Sequence, residues 1–140
     1  MLMRLLFAAP DDESLHLMHA TLDSALCLTP LDVYVVEART LETLLARVDT
    51  YQDDIIILDW QIVGPKTPDL VRIILQRNSL LRVVVLLPEH HRQYRQQVWD
   101  AGACNGIPKE HIDQEWLSTV LCIMHRAMQR EAKFLAEKAI

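Results

Sequence analysis

The run Ile55-Ile56-Ile57-Leu58, closed by Asp59, constrains this chain more than any other feature. Consecutive aliphatic side chains with no polar alternation describe a strand buried on both faces, as in parallel sheets covered by helices. In open sheets of that kind ligands bind in the crevice beyond the carboxyl ends of the strands, so Asp59 stands where a nucleophile or a metal ligand is useful. Asp is also a common turn residue, and position alone leaves both meanings open.

The segments around this strand repeat one alternation. Residues 4 to 9 form a short apolar run, followed by Asp11-Asp12-Glu13 and by Leu15, Met18 and Leu22 at helical spacing. Leu31 to Val36 reads as a second strand, with Leu41, Leu44, Leu45 and Val48 on one face of the helix after it. After Ile55 to Leu58, the loop Gly64-Pro65-Lys66-Thr67-Pro68 leads to a helix face of Leu70, Val71, Ile74 and Leu75. Arg82 to Leu87 and Gln93 to Ala101 make a fourth unit; a weak strand at Asn105 to Pro108 and a long helix from about His111 make the fifth. Strict βα alternation with right-handed crossovers predicts an α/β, flavodoxin-like (βα)5 doubly wound parallel sheet. The expected strand order is 2-1-3-4-5, with an extended C-terminal helix.

Bulk properties narrow the function classes. A chain of 140 residues, 51% hydrophobic and 24% charged, suits one folded domain, and its apolar runs are too short to span a bilayer. The apolar start at Met1 lacks a preceding basic region and runs into Asp11-Asp12-Glu13, which predicts a strand and no signal peptide. A net charge of −5 argues against direct nucleic-acid binding, which needs a basic surface. Cys27, Cys104 and Cys122, odd in number and without CxxC spacing, suit free thiols with packing roles in a reducing cytoplasm. No G-x-G-x-x-G, P-loop or G-x-S-x-G occurs, so the expectation is a protein that is not an enzyme. The histidines, among them His90-His91, His16, His19, His111 and His125, lack zinc-site companions and are expected in solvent-facing or capping roles. Trp60 either covers the acidic pocket or packs over the loop after Asp59.

Three ionic features fall at strand ends: Asp11 and Asp12, Asp59, and Lys109. In a 2-1-3-4-5 order, strands one, three and five meet at the topological switch point, so the carboxylates converge. Clustered carboxylates repel one another unless protonated or bound to a cation, and a hard divalent ion such as Mg2+ relieves that cost. With an ammonium from Lys109, such a set suits formation of an aspartyl phosphate on Asp59.

These residues resemble the receiver domain of two-component response regulators. The resemblance rests on Asp11-Asp12-Glu13, on Asp54-Ile-Ile-Ile-Leu-Asp59 followed by Gly64-Pro65, and on Ala101-Gly102-Ala103 leading to Lys109; it extends to about Arg126. It implies that Asp59 is the phosphoacceptor, Asp11 or Asp12 a Mg2+ ligand beside Asp59, the Gln61 backbone carbonyl a further ligand, and Lys109 the phosphoryl contact. It also implies a histidine kinase or phosphotransfer protein as partner. Aligning the helix face Leu15, Met18, Leu22 puts Pro10 and Asp11 at the acidic pair; sliding by one gives Asp11 and Asp12 and spoils that face.

The departures from the family pattern concern the switch. Where receivers place Thr or Ser at the end of the fourth strand, Leu87-Pro88 stands, and neither side chain donates a hydrogen bond. The aromatic position of the fifth strand falls on Gly106, and Glu110 follows Lys109 where a Pro is usual. A phosphorylated receiver is therefore weighed against a phosphorylation-independent pseudo-receiver used for protein contacts. An unrelated flavodoxin-like enzyme would need a cofactor pocket. The final helix carries Leu117, Val120, Leu121, Met124, Met128 and Leu135 on one side, with Ile123, Ala127 and Phe134 beside them. Residues 1–126 are expected to form the domain and 127–140 an extension that makes a homodimer or connects to an output domain. The expected interaction surface is the fourth helix, fifth strand and fifth helix, with Tyr94, Trp99 and Trp116 as anchors.

Overall fold

Parallel pairing on both sides of residues 55–59 explains why that run has no polar alternation. In the computed structural model, which describes residues 1–89 and 93–138, strands β1 (Leu2–Ala8), β2 (Asp32–Ala38), β3 (Ile55–Asp59), β4 (Arg82–Leu87) and β5 (Asn105–Pro108) form one sheet. Its order is β2-β1-β3-β4-β5 and every pairing is parallel. The sheet is that of the flavodoxin-like (βα)5 fold. All five residues of β3 are buried, and each aliphatic side chain withdrawn from water there contributes about 1.5–3 kcal/mol.

Helices α1 (Asp12–Leu28) and α5 (Gln114–Lys138) cover one face; α2 (Leu41–Val48), α3 (Thr67–Arg77) and α4 (Gln93–Asp100) cover the other. On the first side Phe7, Ile55, Ile57 and Val84 meet Leu15, Met18 and Leu22 of α1 and Leu117, Leu121 and Met124 of α5. On the second, Leu6, Ile56, Leu58, Val83 and Val85 meet Leu44, Val71, Ile74 and Val98. Alternate residues of each strand thus feed opposite cores, as the pleat requires.

Element boundaries follow their caps. Asp11 accepts the Ser14 N–H to start α1, and Thr40 with Thr43 forms a reciprocal capping box before α2. The helix expected from about His111 begins later, because Lys109–His111 form a 3-10 turn and the Asp113 carboxylate accepts the Trp116 N–H at 2.8 Å. The first strand starts at Leu2 rather than residue 4, and the second runs on to Ala38. The His90-His91 pair lies outside the described residues.

α5 is one continuous helix. It buries Leu117, Val120, Leu121 and Met124, half-buries Met128, and is exposed from residue 129 through 138. Glu131 pairs with Arg82 at the start of β4, so contact with the body extends past Arg126. Ile123, Phe134 and Leu135 are exposed.

Truncating Ile56→Ala, at 0% exposure, is expected to lower the unfolding free energy by about 2–5 kcal/mol. Leu80→Ala, in a loop and 78% exposed, should change it by no more than about 0.5 kcal/mol. Urea unfolding of both variants checks the contrast.

Candidate functional site

Five residues from three separated stretches meet at the carboxyl ends of β1, β3 and β5. Asp59 ends β3 with only 1% of its surface exposed. Its Oδ1 accepts the Gln61 N–H at 2.8 Å, because the chain turns at once into a 3-10 turn over Trp60–Ile62. Its Oδ2 lies 2.8 Å from Lys109 Nζ, delivered by the end of β5. That approach is an ion pair outside hydrogen-bond geometry, and among the described residues Oδ2 is the buried side-chain oxygen left without a hydrogen bond. Lys109 Nζ donates instead to Ser14 Oγ on the first turn of α1. The Ser14 N–H in turn donates to Asp11 Oδ1 at 2.7 Å.

Asp11, Ser14, Gln61, Lys109 and Glu110 line a cleft of about 500 Å³. The backbone N–H of Ser14, then its hydroxyl, hold the Asp11 carboxyl below the ordinary aspartate range; Lys109 and Arg39 add smaller contributions and desolvation opposes them. Asp12, the alternative metal ligand, is not brought here. As the first residue of α1 it projects outward, 88% of its side chain exposed, and pairs with Arg39. Asp11, not Asp12, lines the cleft at the mouth of β1.

The positions of the missing relay pack against each other. Leu87 is 2% exposed. A Cβ added to Gly106 would lie 3.1 Å from Val98 Cγ2 and 3.4 Å from Leu87 Cδ1, so no ring fits there without repacking. Trp60 is buried and its ring stacks at a tilt on Tyr94, centroids 4.3 Å apart, so it packs toward α4 as part of the core. Trp99 is exposed on α4, while Trp116 is half-buried against the α1–α5 side.

Other expectations need correction or placement. Cys27 and Cys104 are exposed, not packed inside; Cys122 is half-buried, and all three are free thiols. His19 bonds Glu37 at 2.8 Å and meets Phe7 edge-on, while His16 lines the cleft rim. No group of three His, Cys, Asp or Glu able to hold a metal occurs among the described residues. Asp11 and Gln61 line the cleft, and the Asp59 carboxylate lies beside it, joined to the cleft wall through the Gln61 N–H and Lys109. Two carboxylates fit Mg2+, which keeps several waters and takes one or two of them, and the Asp59 carboxylate is buried with its hydrogen-bonding capacity not filled. Sequence reasoning missed Ser14; a small hydroxyl residue in a first helical turn looks like ordinary capping chemistry, and its partner Lys109 is 95 residues away.

No family model matches the sequence, and no curated protein matches it. Solved structures do. A two-component response regulator from Clostridium difficile aligns with a TM-score of 0.74 at 14% identity, covering 90% of this chain and 98% of that one. A response regulator receiver domain protein from Clostridium thermocellum gives 0.73 at 16% identity, over 94% and 98%. The chemotaxis protein CheY4 of Vibrio cholerae gives 0.67 at 17% identity, over 89% and 99%. At these identities the likeness defines the fold, and that fold is the CheY-like receiver fold.

A carboxylate whose folded pKa lies below its unfolded value adds stability above the unfolded value and loses it as pH falls through the folded one. Asp11→Ala should therefore melt below the parent protein at neutral pH. The gap should close as pH drops through the ordinary aspartate range toward the lowered Asp11 value. Thermal melts of both proteins across that range check the sign.

Proposed function

We propose that this chain is a receiver domain that takes a phosphoryl group on Asp59 from a histidine kinase or phosphotransfer protein and signals through protein contacts. The observation that carries this reading is the buried Asp59 Oδ2, without a hydrogen bond and faced by the Lys109 ammonium at 2.8 Å. Its support from outside the site is the receiver fold shared with the response regulators above.

In the reaction, Asp59 Oδ2 attacks phosphorus and forms the new P–O bond. The P–N bond to the donor imidazole breaks, and the leaving nitrogen keeps the electron pair and is protonated from solvent. Lys109 neutralises charge on the phosphoryl oxygens, having first moved off the oxygen that attacks. Asp11, Asp59 and the Gln61 carbonyl would hold Mg2+, which supplies further charge neutralisation when bound. Gln61 N–H holds Oδ1 and so orients the carboxylate. The partners, the phosphorylated state and a cytoplasmic location belong to this proposal. No helix among the described residues is long and apolar enough to cross a membrane.

Incubation with acetyl phosphate and Mg2+ should add one phosphoryl mass to the intact protein, and Asp59→Asn should add none. An unmodified parent protein sinks the reading.

A second reading, a phosphorylation-independent pseudo-receiver, draws on the packed contact of Leu87 with the backbone of Gly106, which replaces the usual hydroxyl and ring. It expects identical partner binding by the parent protein and Asp59→Asn.

We also assign a second copy of this chain to the free end of α5. Past Val120 and Leu121, which are buried in the domain core, Met128 and Leu135 stand seven residues apart, as do Ala127 and Phe134. That period makes a seam for a helix of the same kind. Phe134→Ser with Leu135→Ser should convert a dimer to a monomer in size-exclusion chromatography with light scattering; a dimer that persists counts against the seam.

A further inference from the structure

The end of β4 offers Asp59 no hydroxyl, since Leu87 stands there. A hydroxyl reaches the site from another element. Ser14, 2% exposed, accepts from Lys109 Nζ, and the same ammonium lies 2.8 Å from Asp59 Oδ2. The Ser14 hydroxyl and the acceptor oxygen thus share one cation, beside the cleft that Asp11, Ser14 and Lys109 line.

We propose that Ser14 is a positioning residue: it holds the Lys109 ammonium for contact with a phosphoryl group on Asp59 and passes the displacement of that ammonium to helix α1. The inference rests on the receiver reading above. Once Oδ2 carries phosphorus it is no longer an anionic oxygen, and the negative charge lies on phosphoryl oxygens farther out. The ammonium follows the charge. Ser14 shares that ammonium, so its hydrogen bond must stretch, rotate or travel with it.

Ser14 is also fixed to its surroundings. Its N–H is held by Asp11, and it belongs to a helix that runs unbroken to Leu28. At the far end, Thr29 Oγ1 and Ser118 Oγ of α5 are hydrogen-bonded at 2.7 Å, and between the two ends Leu15, Met18 and Leu22 pack with Leu117, Leu121 and Met124. A shift at Ser14 therefore has a rigid path to α5. On the β4–β5 side, the side chains of Leu87 and Gly106 offer the ammonium no hydrogen bond.

The test uses the full chain with beryllofluoride and Mg2+, read by tryptophan fluorescence, and amide exchange over residues 12–28. Ser14→Ala is expected to weaken beryllofluoride binding about tenfold, the loss of one charge-assisted hydrogen bond. Ser14→Cys keeps the side-chain shape, with a slightly larger atom, but is a weak acceptor, so it should fall with Ala; Ser14→Thr should return to within about threefold of the parent. Beryllofluoride should alter exchange in α1 of the parent and leave it unaltered in Ser14→Ala. Parental affinity in Ser14→Cys, Ser14→Thr no better than Ala, or an α1 response retained in Ser14→Ala each overturns the inference and leaves the receiver reading intact. No beryllofluoride response and no acetyl phosphate adduct in the parent protein overturns both.

Discussion

A carboxylate taken out of water at the end of a buried strand costs several kcal/mol unless charge and hydrogen bonds replace the water. Asp59, at 1% exposure, obtains that compensation from two directions: the Gln61 N–H on its own turn and the Lys109 ammonium from β5. The rest of the site follows from this arrangement. Lys109 needs a second oxygen and finds Ser14; Ser14 needs its turn of helix pinned and finds Asp11. Each of these groups sits at a strand or helix end, so the parallel sheet order is what brings a 95-residue separation between Ser14 and Lys109 down to one hydrogen bond.

The compensation is incomplete in an informative way. Oδ2 has an ion-pair partner but no hydrogen bond, whereas Oδ1 is held. One oxygen is therefore fixed in place and the other retains a lone pair for a new bond. A structural Asp that merely ended a strand would gain by satisfying both. The ammonium that shields Oδ2 also blocks it, so acceptance of a phosphoryl group and displacement of Lys109 are coupled within the proposed reaction.

Much of the fold was legible because burial on both faces of the sheet leaves an unmistakable mark on residues 55–58, and because βα alternation with fixed handedness admits few topologies. Asp59 and Lys109 were legible for the same reason: charge at the end of an apolar run is conspicuous. Ser14 was not, since a serine near a helix start has a common local explanation and its long-range partner has no sequence signature. Which of Asp11 and Asp12 faces the cleft depends on the helix phase; the buried Leu15, Met18, Leu22 face goes with Asp11 at the cleft and Asp12 turned outward toward Arg39. The exposure of Cys27 and Cys104 ran against the usual burial of thiols, a statistical tendency that single positions do not obey.

The residues at 87 and 106, where the receiver resemblance would lead one to expect a hydroxyl and a ring, differ from it in packing as much as in chemistry. Leucine at 87 reaches toward β5, where a Cβ at 106 would touch it at 3.4 Å and press more closely on Val98 at 3.1 Å, so a bulky side chain at 106 would have to displace both. Restoring a ring at 106 alone would meet Val98 and Leu87, and restoring a hydroxyl at 87 alone would leave a void beside Gly106. With Asp59, Lys109 and a buried hydroxyl on α1 joined through one ammonium, new charge at Asp59 acts first on the elements that hold that ammonium. One of them is α1, whose Leu15, Met18 and Leu22 pack with Leu117, Leu121 and Met124 of α5, the helix that continues beyond this layer to the exposed Phe134 and Leu135.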